Sequence, residues 1–165
     1  MLRLVHATTP EQLDLVRQLF RDYQRAIGVD LCFQGFEREL ATLPGAYAPP
    51  AGLLLLAYQG EQLAGCGALR PLEAGVAELK RMWTRPEFRG QGVARAVALA
   101  LLEVARAGGR PTVRLDTLES MTAARSLYAS LGFTPRSAYY ANPLPRVVFM
   151  EARLEAGPAA DAATP

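Results

Sequence analysis

Cysteine and histidine are scarce in this chain: Cys32, Cys66 and His6 are all it has among 165 residues. The two cysteines lie far apart, form no CxxC pair and have no histidine partners, so neither a metal site nor a disulfide framework is expected. Thiols used this sparingly fit a reduced, cytoplasmic setting. The sequence also lacks any run of about 18 apolar residues and any basic-then-apolar leader, so no membrane span or export signal is expected. An excess of one charge is missing too. The net charge is +2 with acidic and basic residues interspersed, which offers no nucleic-acid surface. No internal repeat is present. With 50% hydrophobic and 21% charged residues, the composition is that of a soluble globular protein with a proper core. One domain is expected over 1–154, and the Ala-, Pro- and Gly-rich stretch 155–165 is expected to be a disordered tail.

Punctuation by Gly and Pro divides the chain. Residues 2–6 form a short apolar run that predicts an edge strand. Thr9-Pro10-Glu11-Gln12 is a helix start, with Thr9 as N-cap, Pro10 at the first helical position and Gln12 completing a capping box. Leu13, Val16, Phe20, Tyr23 and Ile27 follow at spacings of three and four until Gly28 stops the helix. A shorter helix is predicted over 36–43, ending at Pro44-Gly45. Residues 53–58 and 63–69 read as a hairpin, where Gly65 and Gly67 call for a bulge or the close approach of another element. A strand over 76–84 precedes Pro86, and a helix over 93–107 runs to Gly108-Gly109 with Arg95, Glu103 and Arg106 as its narrow polar stripe. Strand 111–117 alternates Val113 and Leu115 with polar Thr112, Arg114 and Asp116. A helix over 121–131 stops at Gly132, and the last strand covers 147–154, after a turn-like Tyr139-Tyr140-x-Asn142-Pro143 segment. The order βααβββαβαββ is α+β, a mixed sheet with helices on both faces.

The stretch between the strand 76–84 and the helix 93–107 carries the chemistry. Arg89-Gly90-Gln91-Gly92 places two glycines at a helix start, where backbone amides lack partners and the helix dipole adds positive charge. Such a turn suits a phosphate or pyrophosphate, with Arg85, Arg89 and Arg95 adding charge nearby. A tight turn packed on its neighbour is the plainer alternative. A dinucleotide fingerprint is excluded, because Arg95 stands where its third Gly would fall, and no Gly-Lys-Ser/Thr makes it a Walker loop.

Glu78-Leu79-x-x-Met82-Trp83-Thr84-x-Pro86 followed by Arg89-x-x-Gly92-x-Ala94 resembles the acyl-CoA-binding signature of the GNAT acetyltransferase superfamily. Ala124-x-x-Leu127-Tyr128-x-x-Leu131-Gly132-Phe133 resembles that superfamily's next helix and strand, and the likeness extends over 2–154. The resemblance implies a GNAT fold, with a V-shaped splay between the central strand and the next. It further implies N-acetyltransferase activity, in which an amine of a small molecule or protein attacks acetyl-CoA directly. Acetyl-CoA is then the cosubstrate, with no metal. Met82, Trp83, Thr84, Arg89, Gly90, Gln91, Gly92, Val93 and Ala94 are the implied cofactor contacts. The edge of the central strand would pair with the pantetheine arm as an extra strand does. Tyr128 is the implied acid for the leaving thiolate; the alternative is a core aromatic. Glu78 is the implied base; the alternative is a buried carboxylate paired with Lys80, Arg81 or Arg114. Phe33, Gln34 and Tyr139 are implied acceptor contacts, although large apolar residues such as Phe33 equally often pin a loop. Ser120, Met121 and Thr122 replace an Asn frequent in the family before the second motif's helix. A homodimer is compatible with all of this, and an acyl-CoA sensor without turnover is the competing function.

The relative size of the catalytic effects sets what matters. Holding two reactants in attack geometry removes roughly 7–11 kcal/mol of barrier. A positioned acid or base adds about a hundred- to ten-thousand-fold. The grip on both reactants therefore outweighs any one proton donor.

Overall fold

A computed structural model describes residues 1–28, 31 and 35–155. The capping box predicted at Thr9 and Gln12 is present in full, and it starts α1 (Pro10–Ile27) immediately after β1 (Leu2–His6). Gly28 ends α1 in the left-handed region at φ 68°, a conformation that costs glycine nothing. The second helix, α2 (Phe36–Ala41), is shorter than expected, and the chain then makes a 3-10 turn over Gly45–Tyr47 that buries Tyr47. The hairpin is β2 (Leu53–Gln59) with β3 (Gln62–Glu73). β3 runs four residues past the predicted end at Leu69 and straight through Pro71. The central strand β4 (Val76–Thr84) and α3 (Val93–Ala107) have the predicted bounds. β5 (Thr112–Leu118), α4 (Thr122–Ser130), β6 (Thr134–Arg136) and β7 (Val147–Arg153) complete the described chain. Of the tail expected over 155–165, all but Glu155 lies outside the described residues.

The strands form one seven-stranded sheet in the order β1-β2-β3-β4-β5-β7-β6. Every neighbouring pair is antiparallel except β4 and β5, whose connection passes through α3. A parallel pair needs such a crossover, and its helix covers one sheet face. That face holds a core of Leu55, Leu79, Val97, Leu101, Leu115, Phe133 and their neighbours. The other face packs on α1 and α2 through Val16, Leu19, Phe20, Phe36 and Leu40. The outer stripe of α3 includes Leu99, half exposed at 51%, beside the polar residues predicted there.

Two features of the sheet make the site. The β4–β5 ladder is short: Val76 pairs with Thr112, Ala77 with Val113 and Glu78 with Arg114, and among the described residues no further pair follows. Beyond Glu78 the strands diverge, as the family resemblance implied. Second, the β3–β4 register slips by one residue between Cys66 and Ala68, so β4 carries a bulge opposite Gly67. Arg81 sits in that bulge at φ 57°, unusual for a residue with a side chain. The two glycines of β3 make room for it. A Cβ on Gly65 would lie 2.4 Å from the carbonyl oxygen of Trp83, and one on Gly67 would lie 2.6 Å from the Met82 sulfur.

Candidate active site

The gap between the diverging strands is lined from both sheet faces. Leu79, Met82, Leu115, Met121 and Tyr128 line it, together with Tyr23, Lys80, Asp116, Thr117 and Asn142. In a strand, alternate residues share a face. Leu79 and Leu115 point to the α3 side, where Tyr128 is also buried. Lys80 and Asp116 each stand two residues beyond the last ladder pair, Glu78 and Arg114, and so share that pair's face.

Past the end of β4 the chain turns through Gly90 at φ 77° and Gly92 at φ 82°, and Gly92 is the N-cap of α3. The first-turn amides of α3 therefore face outward without helical acceptors. Val93 is buried in the core, so only its backbone is available there. Gln91 is tied down by its own side chain, which donates to the Glu87 carbonyl at 3.3 Å and accepts from Gln59 at 3.1 Å. Arg89 lies over the Trp83 ring, 5.2 Å from its centroid. Arg95 donates to Ser130 Oγ at 2.8 Å and so fastens the start of α3 to α4. The edge of β4 past Glu78, which β5 leaves unpaired, leads to this turn. An open strand edge ending at a helix start fits a pantetheine arm followed by a pyrophosphate.

The expected cofactor residues divide. Met82, Gly90, Gln91, Gly92 and the amides of Val93 and Ala94 lie along the β4 edge and the α3 turn. Trp83 is partly buried against the α1 core, edge-on to Tyr23 at 6.4 Å, and its buried indole N–H has no partner among the described residues. Thr84, the last residue of β4, is paired opposite Gly65.

Tyr128 is 6% exposed, edge-on to Phe133 at 5.8 Å, and burial keeps its phenol protonated well above the usual tyrosine range. Glu78 does not line the gap. Its Oε1 accepts from Arg70 Nε at 2.8 Å and Nη2 at 2.7 Å, and its Oε2 accepts from the Tyr139 hydroxyl at 2.5 Å. Its cationic partners are thus Arg70 and, at 3.9 Å, Lys80; Arg81 is engaged by Glu39, and Arg114 by Glu73 and Glu151. Tyr139, expected as an acceptor contact, is held by Glu78 and packed edge-on to Tyr140 and Phe149, each at 5.3 Å. Phe33 and Gln34 lie outside the described residues.

Asp116 was not singled out by sequence. Its Oδ2 accepts from the Tyr140 hydroxyl and, at 3.1 Å, from the Asn142 amide, which also reaches the Tyr140 oxygen at 2.8 Å. The turn-like Tyr139-Tyr140-x-Asn142 segment thus closes over β4 and β5 and fixes Asp116. The one signal for it was the polar phase of β5. Cys66 is buried, its thiol facing the Arg81 carbonyl at 3.4 Å. Among the described residues no cluster could hold a metal and no helix is long and apolar enough to cross a membrane.

Residues 13–133 match the profile of the Acetyltransferase (GNAT) family. An uncharacterized N-acetyltransferase of Schizosaccharomyces pombe is 37% identical over 148 residues, covering 88% of this chain and 90% of its own. A GNAT-family acetyltransferase of Staphylococcus aureus superposes with a TM-score of 0.78 at 15% identity, over 94% of this chain and all (100%) of that one. The PaiA N-acetyltransferase of Thermoplasma acidophilum, solved in complex with coenzyme A, superposes with a TM-score of 0.71 at 18% identity, over 93% and 99% of the two chains.

Proposed function

Because this chain belongs to the GNAT acetyltransferase family and is an N-acetyltransferase, we propose that it joins acetyl-CoA and an acceptor amine across the β4–β5 gap. Acetyl-CoA supplies a thioester whose carbonyl carbon the amine attacks. The new C–N bond replaces the C–S bond, the amine loses a proton and the thiolate gains one. The edge of β4 past Glu78 and the amides of residues 91–94 hold the cosubstrate. Tyr128, on the α3 side of the gap and kept protonated by burial, gives its proton to the sulfur.

The amine's proton goes to Asp116, the one carboxylate among the described residues lining the gap. Glu78, whose two oxygens are occupied by Arg70 and Tyr139, acts as a positioning residue that keeps those groups and Lys80 in place beneath the acceptor. The observation that carries this reading is the ladder ending at Glu78 and Arg114, past which Tyr128 and Asp116 line one gap.

Release of free coenzyme A, screened over amines, tests it. Turnover that falls at least a hundred-fold in Asp116→Asn, with unchanged acetyl-CoA binding, is expected for the loss of a base. Tight acetyl-CoA binding without turnover on any amine would indicate an acyl-CoA sensor instead.

A further inference from the structure

The 6 tyrosines of the chain divide by what their hydroxyls meet. Tyr47 donates to Glu39, Tyr139 to Glu78 and Tyr140 to Asp116, each a phenol fixed by a carboxylate. Tyr58 is half-buried, with the Arg3 guanidinium 4.6 Å from its ring centroid. Tyr23 and Tyr128 have no hydrogen-bond partner for their hydroxyls among the described residues, and both line the β4–β5 gap. Tyr128 enters from the α3 side, where the reading above gives it the departing sulfur. Tyr23 enters from the opposite side: it stands on α1, half-buried, its ring edge-on to Trp83 at 6.4 Å. Asp116 shares that side of the sheet, because it alternates with Leu115 along β5. A partly buried hydroxyl that no protein group satisfies costs stability, and phenylalanine would pack the same ring without that cost.

Building on the acetyl-transfer reading above, we propose that Tyr23 is a further catalytic residue, whose hydroxyl oxygen accepts a hydrogen bond from the attacking amine. The arriving ammonium then has one N–H on Asp116 and a second on Tyr23. When Asp116 takes its proton, the bond to Tyr23 persists and holds the nitrogen lone pair toward the thioester carbonyl. The C–N bond forms, the C–S bond breaks and Tyr128 protonates the sulfur, while Tyr23 neither gains nor loses a proton. Burial raises the Tyr23 pKa, against the Arg81 charge and with that of Asp116, so the phenol stays neutral throughout. Tyr128 is raised by burial first and then by Tyr23 and Asp116, so the three groups act on one another across the gap.

The test compares the full chain with Tyr23→Phe, using acetyl-CoA and an amine that the wild type accepts. Tyr23→Phe keeps the ring against Trp83 and removes only the hydroxyl. The expected result is a kcat/KM for the amine about ten-fold lower, the scale of a hydrogen bond from a charged donor, with acetyl-CoA affinity by calorimetry unchanged. The melting temperature is expected to stay the same or rise, because no protein partner is lost. A kcat/KM within about twofold of wild type leaves the hydroxyl to solvent and overturns the proposal. A lower melting temperature also overturns it, since that marks Tyr23 as bonded within the protein. In both cases turnover by the wild type leaves the acetyl-transfer reading standing. Acetyl-CoA binding by the wild type without turnover on any amine would defeat that reading, and the role of Tyr23 with it.

Discussion

Arg81 and Glu39 form a bidentate ion pair that joins the bulge of β4 to α2, with the arginine side chain 2% exposed and the glutamate 13%. Burial opposes the Arg81 charge, and the hydrogen bonds and charge of Glu39 more than restore it. Glu39 also accepts from the Tyr47 hydroxyl at 2.9 Å, so one carboxylate fixes two buried groups. The left-handed backbone at Arg81 persists because its side chain is anchored this way.

Glu39→Ala leaves a guanidinium buried without a counter-ion and a phenol without its acceptor. The loss of one partner of a buried pair costs about 3–5 kcal/mol. Urea unfolding should show that loss, and Glu39→Ala combined with Arg81→Gly should recover part of it. Gly removes the buried charge and adopts φ 57° without strain.

Where local chemistry punctuates the chain, the sequence is readable. The bounds of β4 and α3 follow from Pro86, Gly92 and Gly108, and α1 from the capping box and Gly28. β3 defeats that reading at Pro71, whose missing N–H is tolerated although the strand continues to Glu73. The Gly90-x-Gly92 turn and Tyr128 can be found from a linear motif because the role proposed for each depends on its own local backbone or helix face. Lys80 and Asp116 cannot. They face each other only because β4 and β5 pair in a particular register and then part, a relation between segments 36 residues apart in number (116 − 80) that no local pattern encodes. Glu78 likewise suggests a partner in Lys80, Arg81 or Arg114, and only the β3 register brings Arg70 opposite it.

At Gly92, φ is 82° and a Cβ would meet nothing within 4 Å, so a side chain is opposed by backbone conformation rather than by a clash. Gly92→Val is therefore expected to fold with a loss of about 1–3 kcal/mol while turning the amides of residues 92–94 out of their present alignment. Calorimetric titration should show acetyl-CoA affinity at least ten-fold weaker. Unchanged affinity in the folded variant would remove the α3 turn from the binding site.

Tyr128→Phe keeps the ring against Phe133 and removes only the hydroxyl. Turnover at saturating acetyl-CoA and acceptor is expected to fall roughly ten- to a thousand-fold, with cofactor affinity and melting temperature little changed. Because burial raises the Tyr128 pKa, its ionisation should not limit the wild-type rate below about pH 10, the unperturbed tyrosine value. A variant within about twofold of wild type, with chemistry rate-limiting, would make Tyr128 a packing residue.

The pKa of Lys80 predicts a pH dependence of stability whose sign can be worked out. The amine titrates near 8 when folded and near 10.4, the model-peptide value, when unfolded. Below pH 8 both states carry the proton, and the folded state bears the whole cost of the buried charge. Between those values the unfolded state binds more protons, so the Lys80 contribution to stability rises with pH. Cys66 acts in the opposite direction, since burial raises its thiol pKa and only the unfolded chain ionises there. The groups that set the Lys80 value, Arg81, Glu78, Arg70 and Asp116, remain in Lys80→Met, as does Cys66, so comparing that variant with wild type isolates the lysine. Denaturant unfolding at pH 7 and pH 10 should show the wild type gaining on the variant by about 2 kcal/mol between the two. A stability difference that stays constant across that range would mean that Lys80 keeps an ordinary pKa in the folded protein.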